Sequence, residues 1–426
     1  MLKPEIVDYA ICYLVGKNYS EIVAYRYPDE EAGSERLTVL RCGAVHDTDE
    51  GFLIDDPIDN PKMLDRIPVL FGEPLVEERD DGRIVLFADV LAAVLYFASR
   101  QEEINNRGIR DGHGRFIGGK SYLARNDLIA TPVLDMYASF LRNLLRIPNH
   151  ESGIRLVHLT HDIDVPWYPY TLFSGLKSTI ASIVKRRQHA FTPLLNALGR
   201  PEHDPAYTFP QIVDADRCVA ANCKGDTEVT YFIKVGGNHK PQDSAVYYQQ
   251  RAATRLLTYL ETSGCNFGLH ASYEAGLNPY LVHEEKKRLE KWLEMGITRN
   301  RNHYLGSLEP EDVRELENAG FKDDYTMGYA DLAGFRLGTC RAIRWVDSAQ
   351  GRLSDVTMHP LTIMDCSLLS SNYMNLSLEE AFDYCRILID ETACYFGELT
   401  LLWHNQSFVE GALTKVLFDK IATYIC

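Results

Sequence analysis

Apolar residues along this chain recur with two periods, and the balance between them changes near residue 150. Short alternating segments open the first third. Ile6–Val15 and Glu35–Leu40 read as strands, with Pro, Asp and Gly clusters separating the elements that follow. Val90, Leu91, Val94, Leu95 and Ala98 then fall at helical spacing, which predicts a helix from Asp89 to Glu103 with charges gathered at its end. Residues 107–126 are polar and Gly-rich and read as a loop, and a second helix is predicted over Pro132–Leu145. Pro148-Asn-His-Glu-Ser-Gly153 is the best linker candidate.

Beyond the linker, strands alternate with helices. Ile154–Leu159, Glu228–Ile233, Phe267–His270, Ala342–Val346, Leu361–Met364 and Glu398–His404 carry the short apolar runs of buried strands. Ser244–Ser263, Pro279–Met295, Leu376–Phe396 and Leu413–Ile425 are helical in period, the third with Ser377 as its cap and Glu379 and Glu380 in its first turn. Such alternation predicts an α/β fold built as a parallel (β/α) barrel or a variant of one over residues 151–426, preceded by a smaller α/β domain over residues 1–150. No internal repeat is present.

Charge and composition narrow the function classes. Lys and Arg number 44 against 60 Asp and Glu, a net charge of −16. An acidic surface excludes the basic stripe that nucleic acid or an anionic membrane requires, and Lys185-Arg186-Arg187 reads as a solvated helix face. The longest apolar stretch, Ile84–Phe97, is broken by Asp89 and is shorter than the roughly 20 residues a membrane span needs. Met1-Leu-Lys-Pro-Glu lacks the flank and run of a signal peptide. Ten cysteines without CxxC spacing read as buried free thiols in a reducing compartment. A soluble, cytoplasmic protein is expected; nothing in the sequence fixes its oligomeric state.

In parallel barrels the chemistry gathers at the C-terminal ends of strands, and four ends here carry candidates. Thr160-His161-Asp162-Ile163-Asp164 sets two carboxylates after an apolar strand, which is costly unless a cation neutralises one and leaves the other as a base. Gly268-Leu-His270-Ala-Ser272-Tyr273-Glu274 offers an imidazole and, four residues on, a carboxylate to the same ion. Arg299-Asn-Arg301-Asn-His303-Tyr304 supplies a guanidinium that can orient a carboxylate and hold it ionised. Leu402-Trp403-His404 ends a buried run on an imidazole fit for acid or base work. Taken singly, each has an ordinary structural reading: turn acids or helix caps, a hydrogen-bonded core histidine, an arginine in a surface loop.

In this order the four pieces resemble the polysaccharide deacetylase superfamily, the nodulation-deacetylase homology domain of carbohydrate esterase family 4, over residues 150–426. They are most similar to a bacterial subgroup with Thr-His-Asp-x-Asp and Gly-Leu-His-x-Ser-Tyr motifs, whose N-terminal domain Phe97-Ala-Ser-Arg-Gln-Glu-Glu and Asp111-Gly-His-Gly-Arg-Phe also resemble. The resemblance implies a distorted (β/α)7 barrel and a metal-dependent hydrolase that removes N- or O-acetyl groups from a sugar or glycan precursor. It makes Asp162 the general base toward a metal-activated water, Arg301 the residue that orients it and His404 the acid. Asp164 and His270 would hold a divalent metal, zinc first. Glu274 stands where the family has a second histidine and is the expected third ligand, a place that can also fall to Ser272 or His161. His303 replaces the family's usual proline, and Tyr273 or Tyr304 can add a hydroxyl. The aspartate that tunes the catalytic histidine has candidates in Asp324, Asp331 and Asp347, and Arg336 is a candidate for substrate binding. The alternative is a degenerate member of the fold that binds saccharide without hydrolysis.

Overall fold

In the computed structural model, which describes residues 2–30, 33–149, 151–168, 170–239, 241–243 and 247–426, the chain forms two units. The first comprises Met1–Arg155, Ser307–Thr362 and Ile387–Leu399, and the second Leu156–Gly306, Ile363–Arg386 and Thr400–Cys426.

The first unit opens on a helix, Pro4–Val15, where alternation had suggested a strand. Its buried residues Ile6, Ala10, Ile11, Leu14 and Val15 keep the four-residue return of a helix face, and Pro4 sits in the first turn, where its missing N–H is harmless. Four strands follow in the order Val23–Arg26, Leu37–Leu40, Ile84–Ala88, Gly72–Glu78, the first three parallel and the last antiparallel. Helix Val90–Ala98 is apolar on every side and buried on every side, and Asp89 caps it by accepting from the Ala92 N–H at 2.9 Å. The predicted continuation to Glu103 is interrupted by Arg100 at φ +56°, and a separate helix Gln101–Asn105 begins there. Val133–Leu145 is the expected second helix.

Ile343–Asp347 was expected as one more parallel strand. It pairs instead antiparallel with Arg352–Met358, across a turn whose Gly351 has φ +54°. Asp323–Asp324 lies parallel on the other side of Arg352–Met358. Here His359 is buried between two carboxylates, Nδ1 3.1 Å from Glu398 and Nε2 3.1 Å from Asp323, with Tyr325 stacked on its ring at 4.4 Å. Burial works against the imidazolium, but the two acids outweigh it and lift the pKa from 6.5 to about 9. The charged form therefore stabilises the fold fully below pH 6.5, and that contribution is lost as pH climbs to 9. A shift of this size corresponds to about 3 kcal/mol. The stability gap between the wild type and His359→Gln should accordingly shrink by that order between pH 6.5 and 9 in urea titrations; a gap constant with pH would show that the histidine is not charged in the fold.

The second unit holds strands in the succession Arg299–Asn302, Asn266–Ala271, Asp226–Ile233, Leu156–Ile163, the Thr400–Leu402 part of strand Glu398–Leu402, and Ile363–Met364. Leu156–Ile163 is parallel to Asp226–Ile233, which is parallel to Asn266–Ala271 and through it to Arg299–Asn302; Ile363–Met364 is parallel to Glu398–Leu402. The sheet is open, and no closed barrel forms among the described residues. Alternation alone cannot tell an open parallel sheet from a closed one, since closure is a matter of long-range pairing. Helices Phe209–Asn222, Arg251–Thr262, Leu281–Leu293 and Leu413–Ile425 belong to this unit. The predicted helix start at Ser244 lies outside the described residues. No helix among the described residues is long and apolar enough to cross a membrane.

Candidate functional site

Side chains alternate across a strand, and at the end of Leu156–Ile163 this splits the motif in two. His161 is carried to one side, where Nδ1 lies 2.8 Å from the Trp403 carbonyl and Nε2 3.2 Å from both Asp216 oxygens. It belongs to a buried hydrogen-bonded pair, away from the ligand group described below. Thr160 and Asp162 go to the other side, toward Arg301. The Arg301 guanidinium, wholly buried, donates from Nη1 to Thr160 Oγ1 at 2.8 Å and to Asp162 Oδ1 at 3.1 Å. Its Cζ lies 4.5 Å over the Phe232 ring. That ring has room because the facing strand carries Gly268, where a Cβ would stand 2.5 Å from Phe232 Cε1.

His270 is the register partner of Arg301 and sits 3.0 Å through Nδ1 from the Arg301 carbonyl. A carbonyl only accepts, so Nδ1 donates to it, and Nε2 is the ring nitrogen that faces Asp164 and Asp162. Nε2 lies 3.0 Å from Asp164 Oδ1 and 3.7 Å from Asp162 Oδ2. His303 approaches the same oxygen, its Nε2 3.2 Å from Asp164 Oδ1, while its Nδ1 faces Asp243 at 3.3 Å. Asp243 in turn accepts the N–H groups of Tyr273 and Glu274, each at 3.0 Å. His303 reaches this position through a turn in which Tyr304 (φ +60°) and Leu305 (φ +53°) are both left-handed, a state that non-glycine residues adopt rarely.

Three ligand atoms therefore converge: Asp164 Oδ1, His270 Nε2 and His303 Nε2, all within 4.8 Å of one another. Two ligands about 2.0–2.1 Å from a tetrahedral ion stand about 3.3 Å apart, close to the 3.0 and 3.2 Å found here. Asp164 Oδ1 and His270 Nε2 are buried and have no hydrogen-bond partner among the described residues, a costly state that a shared cation would relieve. Burial opposes charge on Asp164, but His303 and His270 outweigh it and hold the carboxyl well below its usual range. The donor set fits a divalent metal.

Glu274, the third ligand expected from the sequence, is not brought into this group. It sits in the first turn of helix Tyr273–Leu277, and its Oε2 accepts the Asn238 N–H at 2.8 Å. Ser272 is that helix's cap, accepting from the Ala275 N–H at 3.0 Å and donating to Glu285 at 2.5 Å. Tyr304 sets its ring 4.8 Å from that of His303 and 5.3 Å from that of Tyr273.

On the opposite flank His404 Nε2 lies 3.7 Å from Asp164 Oδ2. Its Nδ1 is 2.9 Å from Asp365 Oδ1, and its backbone N–H donates to Asp365 Oδ2 at 2.8 Å. Burial disfavours the imidazolium, but Asp365 overrides it and raises the His404 pKa well above the ordinary value. Asp365 follows directly on Ile363–Met364, a strand the sequence did suggest, so the rule that placed Asp162 after its strand could have found it. Asp243 carried no such signal. The three candidates for this tuning role make other bonds within the first unit. Asp331 accepts the Gly118 and Gly119 N–H groups, Asp347 pairs with Arg314, and Asp324 accepts from Thr326. Arg336, the proposed substrate arginine, is engaged there by Glu103 and donates to the Gly328 carbonyl.

Residues 44–148 match a family of unknown function (DUF7033). No curated protein sequence matches the chain. Several solved structures are similar in part, among them the following three. A Mycobacterium smegmatis protein described as a polysaccharide deacetylase has TM-score 0.40 and 13% identity, covering 66% of this chain and 88% of its own. Puue allantoinase has TM-score 0.39 and 14% identity over 64% of this chain and 84% of its own. A Parabacteroides distasonis protein described as a glycoside hydrolase/deacetylase has TM-score 0.35 and 11% identity over 65% and 67%.

Proposed function

We propose that the second unit is a metal-dependent hydrolase that removes N- or O-acetyl groups from a sugar or glycan precursor. The observation that carries this reading is the convergence of Asp164, His270 and His303 between two further pairs, Asp162–Arg301 and His404–Asp365. The motif order that resembles the polysaccharide deacetylases supports it, with His303 rather than Glu274 as the third ligand.

A bound zinc-like ion would lower the pKa of a coordinated water and polarise the acetyl carbonyl. The other roles fall to the chain's own side chains. Asp162 is the base: Arg301 occupies Oδ1 and fixes the carboxylate plane, leaving Oδ2 to take the proton of the attacking water. His404 is the acid. Asp365 keeps Nδ1 protonated and sustains the imidazolium, so Nε2 can give a proton to the leaving amine or alkoxide. The half-exposed Tyr304 offers an aromatic edge beside His303 against which a sugar ring can rest.

Elemental analysis of protein purified without chelators tests the reading, together with acetate release from a panel of N- and O-acetylated sugars. Stoichiometric metal is expected in the wild type and in Glu274→Gln, with loss in Asp164→Ala and His303→Ala. Retention in His303→Ala with loss in Glu274→Gln would return the third ligand to the glutamate. Absence of metal from every sample, even after exposure to zinc, would defeat the hydrolase and put the saccharide-binding alternative in front.

A further inference from the structure

We propose that Asp365, Cys366 and His404 form a second, sulfur-bearing metal site on the Nδ1 side of His404, and that zinc bound there shuts off the Asp365–His404 pair. The inhibitory consequence rests on the function proposed above; the site itself does not. Its ligand-capable atoms all lie within 4.8 Å of one another. Cys366 Sγ is 3.7 Å from His404 Nδ1, and Asp365 Oδ1 is 2.9 Å from the same nitrogen.

These distances favour an ion. A tetrahedral zinc with Zn–S about 2.3 Å and Zn–N about 2.0–2.1 Å sets sulfur and nitrogen about 3.6 Å apart, so the thiol and imidazole already stand at coordination spacing. The carboxylate and imidazole would open from their hydrogen bond by about 0.4 Å to reach the roughly 3.3 Å of ligand neighbours. Access is open, because Cys366 is exposed. Thiolate, imidazole and carboxylate together are a donor set that zinc and cobalt accept, whereas magnesium and calcium prefer oxygen alone.

Coordination accounts for both protons. The Cys366 thiol gives its proton to solvent as the metal–sulfur bond forms. Nδ1 likewise releases to solvent the proton it shares with Asp365 and offers its lone pair to the ion. Asp365 then faces the metal instead of the imidazole N–H, and the Asp365–His404 hydrogen bond on which the proposed acid relies is broken. The two sites use opposite sides of one region: the group at Asp164 lies toward Nε2 of His404, the second site at Nδ1. Excess zinc should therefore inhibit without displacing the first ion.

Cobalt titration of the metal-free, full-length protein separates the sites. Asp164, His270 and His303 contain no sulfur, so only coordination through a thiolate produces sulfur-to-cobalt charge-transfer absorption in the near ultraviolet. That band is expected in the wild type and in Asp164→Ala, and should disappear in Cys366→Ser and Cys366→Ala. In parallel, the zinc concentration that halves activity, measured against each protein's own rate without excess zinc, should rise by at least about tenfold in Cys366→Ser, as for loss of a ligand. A band that persists in both cysteine variants, or none in the wild type, overturns the second site whatever happens at the first. A band lost with Cys366, in a protein without hydrolytic activity, would uphold the metal site while refuting its inhibitory role and the hydrolase together.

Discussion

Replacing Asp162 with asparagine is expected to lower acetyl hydrolysis by about 10²–10⁴-fold, the usual contribution of a positioned general base, with metal content unchanged. Asparagine keeps the shape and can still accept from Arg301, but it has no basic oxygen with which to remove a proton from water. Asp162 Oδ2 lies 3.7 Å from His270 Nε2, whereas Asp164 Oδ1 lies 3.0 Å from it. In the proposed mechanism, less than an ångström separates the tasks of these neighbouring carboxylates. Steady-state kinetics and elemental analysis on the same preparation distinguish them. A fall in kcat with stoichiometric metal supports the base; equal loss of metal in Asp162→Asn and Asp164→Ala would make Asp162 a ligand; a rate within about threefold of wild type, far short of a base's contribution, would remove it from the chemistry.

Which parts of this site could be read from the sequence follows from the range of the forces involved. Strand ends were legible, since an apolar run stopping at Asp162, His270 or His404 is a local pattern. Helix Leu413–Ile425 was legible for the same reason, its period being intact from end to end. Pro4–Val15 was misread because Ile, Val, Tyr and Cys suit a strand, and only the recurrence of buried positions shows the helix. The open sheet was hidden because closure depends on pairing between distant strands. His303 stood in a quoted motif, yet its part in the ligand group depends on two consecutive left-handed residues, Tyr304 and Leu305, which no side-chain pattern announces. Asp365 is 39 residues before its partner His404, and the two meet only because the strands that precede them are neighbours.

The largest stability effect is expected from Arg301. Arg301→Met keeps the length and apolar stem of the side chain over Phe232 but leaves the buried Asp162 carboxylate without its 3.1 Å partner. Removing one member of a buried ion pair costs about 3–5 kcal/mol, against about 5–15 kcal/mol for a whole domain, so much of the second unit's margin should vanish. The pair itself need not be strongly stabilising, because its desolvation penalty rivals its attraction. The double variant Asp162→Asn/Arg301→Met has no charge left to strand, and should be more stable than Arg301→Met alone. Urea unfolding of wild type, both single variants and the double variant, all metal-depleted, closes the cycle. A double variant as unstable as the sum of the singles would mean that the two side chains act independently. Arg301 would then support the sheet through Thr160 and Phe232 rather than by neutralising the base, and Asp162 would need another source for its charge balance.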